Sequence, residues 1–151
     1  MMKYEYEQKD RAFLIIKHEA VQRGLIGEII TRLERKGLKI TAMKMFKMTD
    51  DEVRKLYSNC VSLPFFDEML RFNSRCAVVG IAVEGPDANK GANEVCGKVG
   101  VSGTVRGDFA LCHSRNVLHC SDENMTDREI AIFFNEDEIC RYSSAGEEWL
   151  I

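Results

Sequence analysis

From Cys76 to Val83 the chain is apolar at nearly every position, and Glu84-Gly85-Pro86-Asp87 ends the run abruptly. A short, uniformly apolar segment rich in β-branched residues and stopped by turn chemistry is the pattern of a strand covered on both faces. It commits the chain to a sheet whose middle is buried.

The remaining segments supply the rest of that sheet. Ala12 to Ile16 reads as a buried first strand that delivers Lys17 at its carboxyl end. From Ala20, the residues Val21, Leu25, Ile29, Ile30 and Leu33 recur at helical spacing, and Gly37 supplies a left-handed stop, which predicts one helix. Leu38, Ile40 and Ala42 alternate with polar residues before the phase shifts to Met43 and Met45, the signature of a second strand with a bulge near its middle. Thr49 caps a polar segment, Asp50 to Asn59, with an apolar edge of Val53, Leu56 and Tyr57. Pro64 precedes a short helix from Phe66 to Phe72, making a helical hairpin at the rim. A weak helix over Ala88 to Cys96, a glycine-dotted loop from Gly97 to Gly107 and a fourth strand over Asn116 to His119 follow, and Ser121-Asp122-Glu123 marks another helix start. The expected fold is α+β: a ferredoxin-like βαββαβ four-stranded antiparallel sheet with additional helices.

A chain of 151 residues is the size of one domain and buries roughly two thirds of its unfolded surface, so residues 1–151 are taken as a single domain. Met1 to Arg11 alternates charged residues with tyrosines and lacks the apolar core of a signal peptide, and no later run is long enough to span a bilayer. The expectation is a soluble cytoplasmic protein without a membrane partner. Its six cysteines form no Cys-x-x-Cys pair and read as free packing residues. A net charge of -3 excludes a broad basic surface and with it a specific nucleic-acid partner. An RNA-binding module on such a sheet is disfavoured for the same reason, and because the aromatic strand motif of those modules is missing. Any phosphate must be gripped locally.

Three histidines occur, at 18, 113 and 119. His119 stands out because Val117-Leu118 leads an apolar segment into it and Ser121-Asp122 follow at a helix start, where amide dipoles favour anions. A neutral imidazole is a nucleophile near neutral pH provided a carboxylate fixes which ring nitrogen is free, and Glu129 stands one helix later. Phosphoryl transfer also needs positive charge around the phosphate oxygens. Lys17 at a strand end and Arg106 in the glycine-rich loop are the candidate clamps, although either residue type in such a place is often merely solvated. Phe65, after Pro64 on the outlying hairpin, offers a ring to a base; its competing role is packing with Phe66. Neither a Gly-x-x-x-x-Gly-Lys-Ser/Thr loop nor a Gly-x-Gly-x-x-Gly fingerprint is present. A metal site at Cys112-His113 and His119-Cys120 is unfavourable, since adjacent strand residues point to opposite faces.

These residues resemble a known family. Asn116-Val117-Leu118-His119-Cys120-Ser121-Asp122 is similar to the Asn-x-x-His-Gly-Ser-Asp signature of nucleoside diphosphate kinases. Phe13 to Lys17 with Val21 to Ile30 resembles that family's first strand and helix, Pro64-Phe65-Phe66 its nucleotide-binding hairpin, and Gly103-Thr104-Val105-Arg106-Gly107-Asp108 its phosphate-side loop. The resemblance runs from about Arg11 to Trp149. It implies that His119 is phosphorylated, that Lys17 and Arg106 hold phosphates, and that Tyr57 lies beside the phosphohistidine. It further implies that Phe65 stacks on the base, that Asn116 contacts ribose and phosphate, and that Glu129 orients His119 with support from Ser121, which counts with them among the nucleotide-binding residues. The implied reaction is ping-pong transfer of the γ-phosphate of a nucleoside triphosphate, mainly ATP, to a nucleoside diphosphate. Mg2+ accompanies the nucleotide and no metal is caged by the protein. A homo-oligomer is implied, at least a dimer, with a hexamer the larger form.

Asn93 falls where the family has a phosphate-binding arginine, and the loop from Gly97 to Gly103 is shorter than usual, which implies weaker nucleotide affinity unless Lys90 or Lys98 compensates. Cys120 replaces a glycine and His18 a proline. The alternative these departures raise is a kinase-like nucleotide-binding or scaffold protein with weak catalysis.

Overall fold

The structure is a computed structural model and describes residues 10–145. The start of the charged N-terminal segment and the end of the chain at Trp149 to Ile151 lie outside the described residues.

Strand β1, Arg11–Ile16, shows why the sheet forms where it does. Leu14 and Ile16 point into one apolar cluster and Phe13 and Ile15 into another, so alternate side chains of one strand fill both sides. The sheet has four strands in the order β2-β3-β1-β4, all neighbours antiparallel, with β2 at Lys39–Lys47, β3 at Ala77–Glu84 and β4 at Leu118–Cys120. That is the expected ferredoxin-like arrangement, and the long apolar run is the interior strand β3. The bulge in β2 is present between Ile40 and Ala42. Beyond it Met43 and Met45 are 52% and 59% exposed, so the apolar residues after the phase shift are turned outward along an edge strand.

The helix expected from Ala20 onward is two helices, α1 at His18–Gln22 and α2 at Ile26–Arg35. Gly24 at φ +71° turns the chain between them, and the amide of Leu25 reaches back to the carbonyl of Ala20. Apolar periodicity runs across the break without a change of phase, which is why spacing alone does not reveal it. Gly37 at φ +93° is the predicted stop.

Helix α3, Asp50–Leu56, begins with a full capping box in which Thr49 and Glu52 bond each other's backbone amides. The hairpin continues through a short 3-10 turn into α4, Phe66–Asn73. Helices α3, α4 and α7 (Thr126–Phe133) cover the sheet face holding Phe13 and Ile15. Helices α2 and α5 (Ala88–Cys96) cover the other.

The glycine-dotted segment after α5 is not all loop. Thr104 accepts a hydrogen bond from Gly107 N at 3.0 Å and starts a one-turn helix, α6, at Val105–Phe109. Gly107 is required there because a Cβ would sit 1.7 Å from the carbonyl oxygen of Val101. Strand β4 is shorter than expected, three residues with His119 in the middle, because Val117 leaves extended geometry at φ +66°.

Candidate active site

His119 rides on the outermost strand, in register with Ile15 of β1. Its Nε2 lies 2.7 Å from Oε2 of Glu129 on α7, and Glu129 is 4% exposed. A carboxylate only accepts, so Nε2 carries the ring proton and Nδ1 keeps the lone pair. Tyr57 meets the imidazole edge-on with ring centroids 5.8 Å apart. Burial, and after it the charge of Glu129, pushes the Tyr57 pKa far up, so the phenol stays neutral.

Lys17 follows the last residue of β1 and donates from Nζ to Oδ1 of Asn116 at 2.6 Å. Burial holds its pKa below the usual lysine value; Glu19 opposes that, and nearby Arg106 adds to it. Arg106 is fixed as a bridge. Its two terminal nitrogens donate to the carbonyls of Gly97 and Leu118, each at 3.0 Å, and its Nε is buried without a hydrogen-bond partner. A guanidinium held at both tips cannot swing, so its charge stays beside β4.

The backbone preceding His119 is strained and clamped. Val117 is fully buried, its carbonyl accepts from Lys17 N at 2.9 Å, and its amide donates to Oε1 of Glu19 at 2.8 Å. A β-branched residue in the left-handed region costs on the order of 1–3 kcal/mol, and these two bonds with the surrounding core offset it. Glu19 was not anticipated as part of the site; its position two residues after Lys17 was the available signal.

A cleft of about 520 Å³ opens from Lys17 and Tyr57 outward past Phe65, Met69 and Phe72 to the turn His113-Ser114-Arg115. Phe65 is 54% exposed, so the expected competing role in core packing is not the one it has. Phe65, Glu68, Met69 and Phe72 follow helical spacing and line the cleft from one face of α4. The opposing turn is a tertiary feature that spacing cannot show.

Ser121 differs from its expected role as a nucleotide contact. It is fully buried. Its hydroxyl accepts from Phe13 N at 3.0 Å and pairs with Thr126 Oγ1 at 2.8 Å, and Asn89 on α5 donates to its carbonyl at 3.0 Å. It joins β4 to β1, α5 and α7, and so positions His119 and Glu129 through the backbone. Asn93 is likewise turned inward, donating to Asn89 and to the carbonyl of Ser121. Cys120 packs toward the core beside Cys96, whose thiol pKa is raised by that neighbour and by burial.

The geometry is therefore a fixed imidazole with one free nitrogen, two cations bonded to the segment that carries it at Asn116 and Leu118, and an adjoining cleft lined by an exposed ring. Comparison with known proteins points the same way. A family model described as nucleoside diphosphate kinase matches residues 10–139. The nucleoside diphosphate kinase of Ignicoccus hospitalis is 44% identical over 135 residues, covering 86% of this chain and 92% of that protein. That of Archaeoglobus fulgidus is 41% identical over 146 residues, covering 93% and 97%. Among solved structures, a halophilic nucleoside diphosphate kinase from Halobacterium salinarum in complex with CDP superposes with a TM-score of 0.91 at 34% identity, covering 95% of this chain and 99% of that one.

Proposed function

Because this chain belongs to the nucleoside diphosphate kinase family, and is thus a nucleotide-binding phosphotransferase, we propose that it transfers the γ-phosphate by a ping-pong route through phosphorylated His119. The observation that carries this is the 2.7 Å contact of His119 Nε2 with buried Glu129, which leaves Nδ1 as the nucleophile.

In the first half-reaction the Nδ1 lone pair attacks the γ-phosphorus of a nucleoside triphosphate, ATP in most encounters because it is abundant. A P–N bond forms as the bond to the β-phosphate oxygen breaks, and the nucleoside diphosphate leaves. In the second, an incoming diphosphate takes the phosphoryl group and restores the imidazole. Glu129 stabilises the positive charge that the ring acquires, and Tyr57 walls the ring without ionising. Lys17 and Arg106 face the phosphate oxygens, Asn116 holds Lys17 in place and contacts the ribose, and Phe65 stacks on the base.

Among the described residues no three His, Cys, Asp or Glu side chains converge, and Glu68 is the one carboxylate on the cleft lining. Magnesium therefore fits as a partner of the nucleotide's phosphates, where it neutralises charge, and not as the occupant of a protein cage.

We take residues 1–151 to act as one domain and to assemble at least as a dimer. The C-terminal segment covers the start of the β2 edge through Cys140 N to Thr41 O and Tyr142 to Ile40 O, while Met43 and Met45 beyond it stay exposed. A bare apolar edge is a surface for a second copy. A cytoplasmic location accords with cysteines that are all free thiols.

Intact-mass spectrometry after brief incubation with ATP and magnesium tests the route. The expected result is one acid-labile phosphoryl group, discharged by GDP and absent from His119→Ala; an unmodified parent protein favours the non-catalytic scaffold alternative.

A further inference from the structure

Glu19 occupies the second position of α1, two residues after Lys17. One of its oxygens, Oε1, accepts from Val117 N at 2.8 Å, and the other, Oε2, is buried without a hydrogen-bond partner among the described residues. A backbone amide needs only a neutral oxygen opposite it, and a glutamine amide supplies one at lower desolvation cost than a carboxylate. The negative charge, with one oxygen left over, therefore has a reason beyond the clamp on Val117.

That reason is the neighbouring amine. Lys17 and Glu19 grip the same turn: Lys17 N donates to the Val117 carbonyl at 2.9 Å and Lys17 Nζ to Oδ1 of Asn116 at 2.6 Å, while Glu19 takes the Val117 amide. An ammonium shielded from water is pressed toward its neutral form, and the Asn116 amide carries no charge to oppose that. Arg106 on α6 and Glu19 on α1 are the two groups whose charges act on the amine, Arg106 with burial and Glu19 against both. The other titratable groups on the surrounding elements are His18 and Tyr57, both neutral at pH 7, the His119–Glu129 pair, and Glu68, His113 and Arg115 along the cleft. We propose that Glu19 is a positioning residue for phosphoryl transfer, its charge keeping Lys17 an ammonium ion for the phosphate oxygens while its bond to Val117 holds that charge in place. The inference rests on the reading of Lys17 as a phosphate clamp.

The test is the pH dependence of kcat/KM for ATP, with magnesium present and GDP as acceptor, in the parent, Glu19→Gln, Glu19→Asp and Lys17→Met proteins between about pH 7 and pH 10; this quantity reports the groups of the free enzyme. In the parent it falls at the basic end as Lys17 gives up its proton. Glu19→Gln keeps an oxygen for Val117 N but no charge, so the fall begins at lower pH: the variant lies within about threefold of the parent at pH 7 and about tenfold below it at pH 9, the difference between a charged and a neutral interaction. Glu19→Asp, which keeps the charge, keeps the basic limb near the parent's. A Glu19→Gln profile parallel to the parent's, or a limb displaced equally in Glu19→Asp, overturns the role of the charge, because an acceptor that only supports the fold does not act through Lys17. If Lys17→Met retains the parent's kcat/KM, Lys17 is no phosphate clamp and the underlying reading fails, whatever Glu19→Gln shows.

Discussion

The Nε2 atom of His119 and the carboxylate of Glu129 are 2.7 Å apart, and the carboxylate is almost wholly shielded from water. In that setting the pair is worth more than its exposed counterpart, because the ring has no competing partner on that side. Glu129→Gln keeps the shape but removes the charge that stabilises the imidazolium-like transition state. The phosphorylation rate of His119, measured by rapid quench, is expected to fall about tenfold, the difference between a charged and a neutral hydrogen bond. A rate equal to the parent's refutes an electrostatic role for Glu129.

Ser121 sits close to the nucleophile in sequence but acts inside the fold. Ser121→Ala leaves Phe13 N without its side-chain acceptor and removes one of the three hydrogen bonds of Thr126 Oγ1, and is expected to destabilise the protein by about 1 to 3 kcal/mol. In a chain of this size that lowers Tm by roughly 2 to 12 °C. Calorimetry checks the shift, while KM for nucleotides stays near the parent value because the hydroxyl does not reach the cleft.

Lys17 illustrates a trade between stability and function. Its pKa is lowered chiefly by burial, so the unfolded chain holds this proton more tightly than the folded one. The charged amine therefore costs stability at neutral pH, and the cost fades as pH rises toward the ordinary lysine value of 10.5. Lys17→Met is expected to lose most activity yet melt no lower than the parent at pH 7, with any advantage shrinking above pH 9. Melting curves across that range decide it.

His18 acts with the same sign in an acidic window. It is buried against Phe72 with ring centroids 4.3 Å apart, and its Nδ1 has no hydrogen-bond partner among the described residues. Burial, more than Glu19 can offset, lowers its pKa below 6.5, and the cations Lys17, Arg115 and Arg75 lower it further. The neutral ring is thus favoured in the folded state, and its contribution, complete above pH 6.5, is lost as pH falls toward the folded-state value. The Tm of the parent should drop more between pH 7 and pH 5 than that of His18→Leu.

Asn93 offers a gain-of-function test. Its amide is spent on Asn89 and the Ser121 carbonyl, at the position where the family resemblance implies an arginine. Asn93→Arg adds a cation near the phosphate end and is expected to lower nucleotide KM about tenfold. An unchanged KM shows that the shortened loop has moved the phosphates out of reach.

Local signals carried most of the fold into the sequence. The β3 run, the Thr49 cap and the Gly37 stop are each set by a few neighbouring residues, and each forms where expected. Gly24 escaped because the helical phase is the same on both sides of it, and α6 escaped because its glycines serve close approach as well as turning. His119, Glu129, Lys17 and Arg106 are legible as chemistry and Tyr57 through the family resemblance; in the structure Glu129 and Tyr57 touch the His119 ring, Lys17 bonds Asn116 and Arg106 bonds the Leu118 carbonyl. Ser121 and the turn from His113 to Arg115 were not, because whether a side chain faces the core or a cleft is decided by elements far away in the chain.

The nucleophile is carried by three residues of an edge strand that pairs with β1 alone. Opening that ladder uncovers the buried side chains of Val117 and Leu118 but leaves β1, β2 and β3 paired, so it costs less than global unfolding. Heat inactivation should therefore run ahead of loss of the sheet, and the amides of Leu118 to Cys120 should exchange with solvent sooner than those of β3. The upper limit of the working temperature is then expected to lie at the opening of one short ladder, below the melting of the sheet.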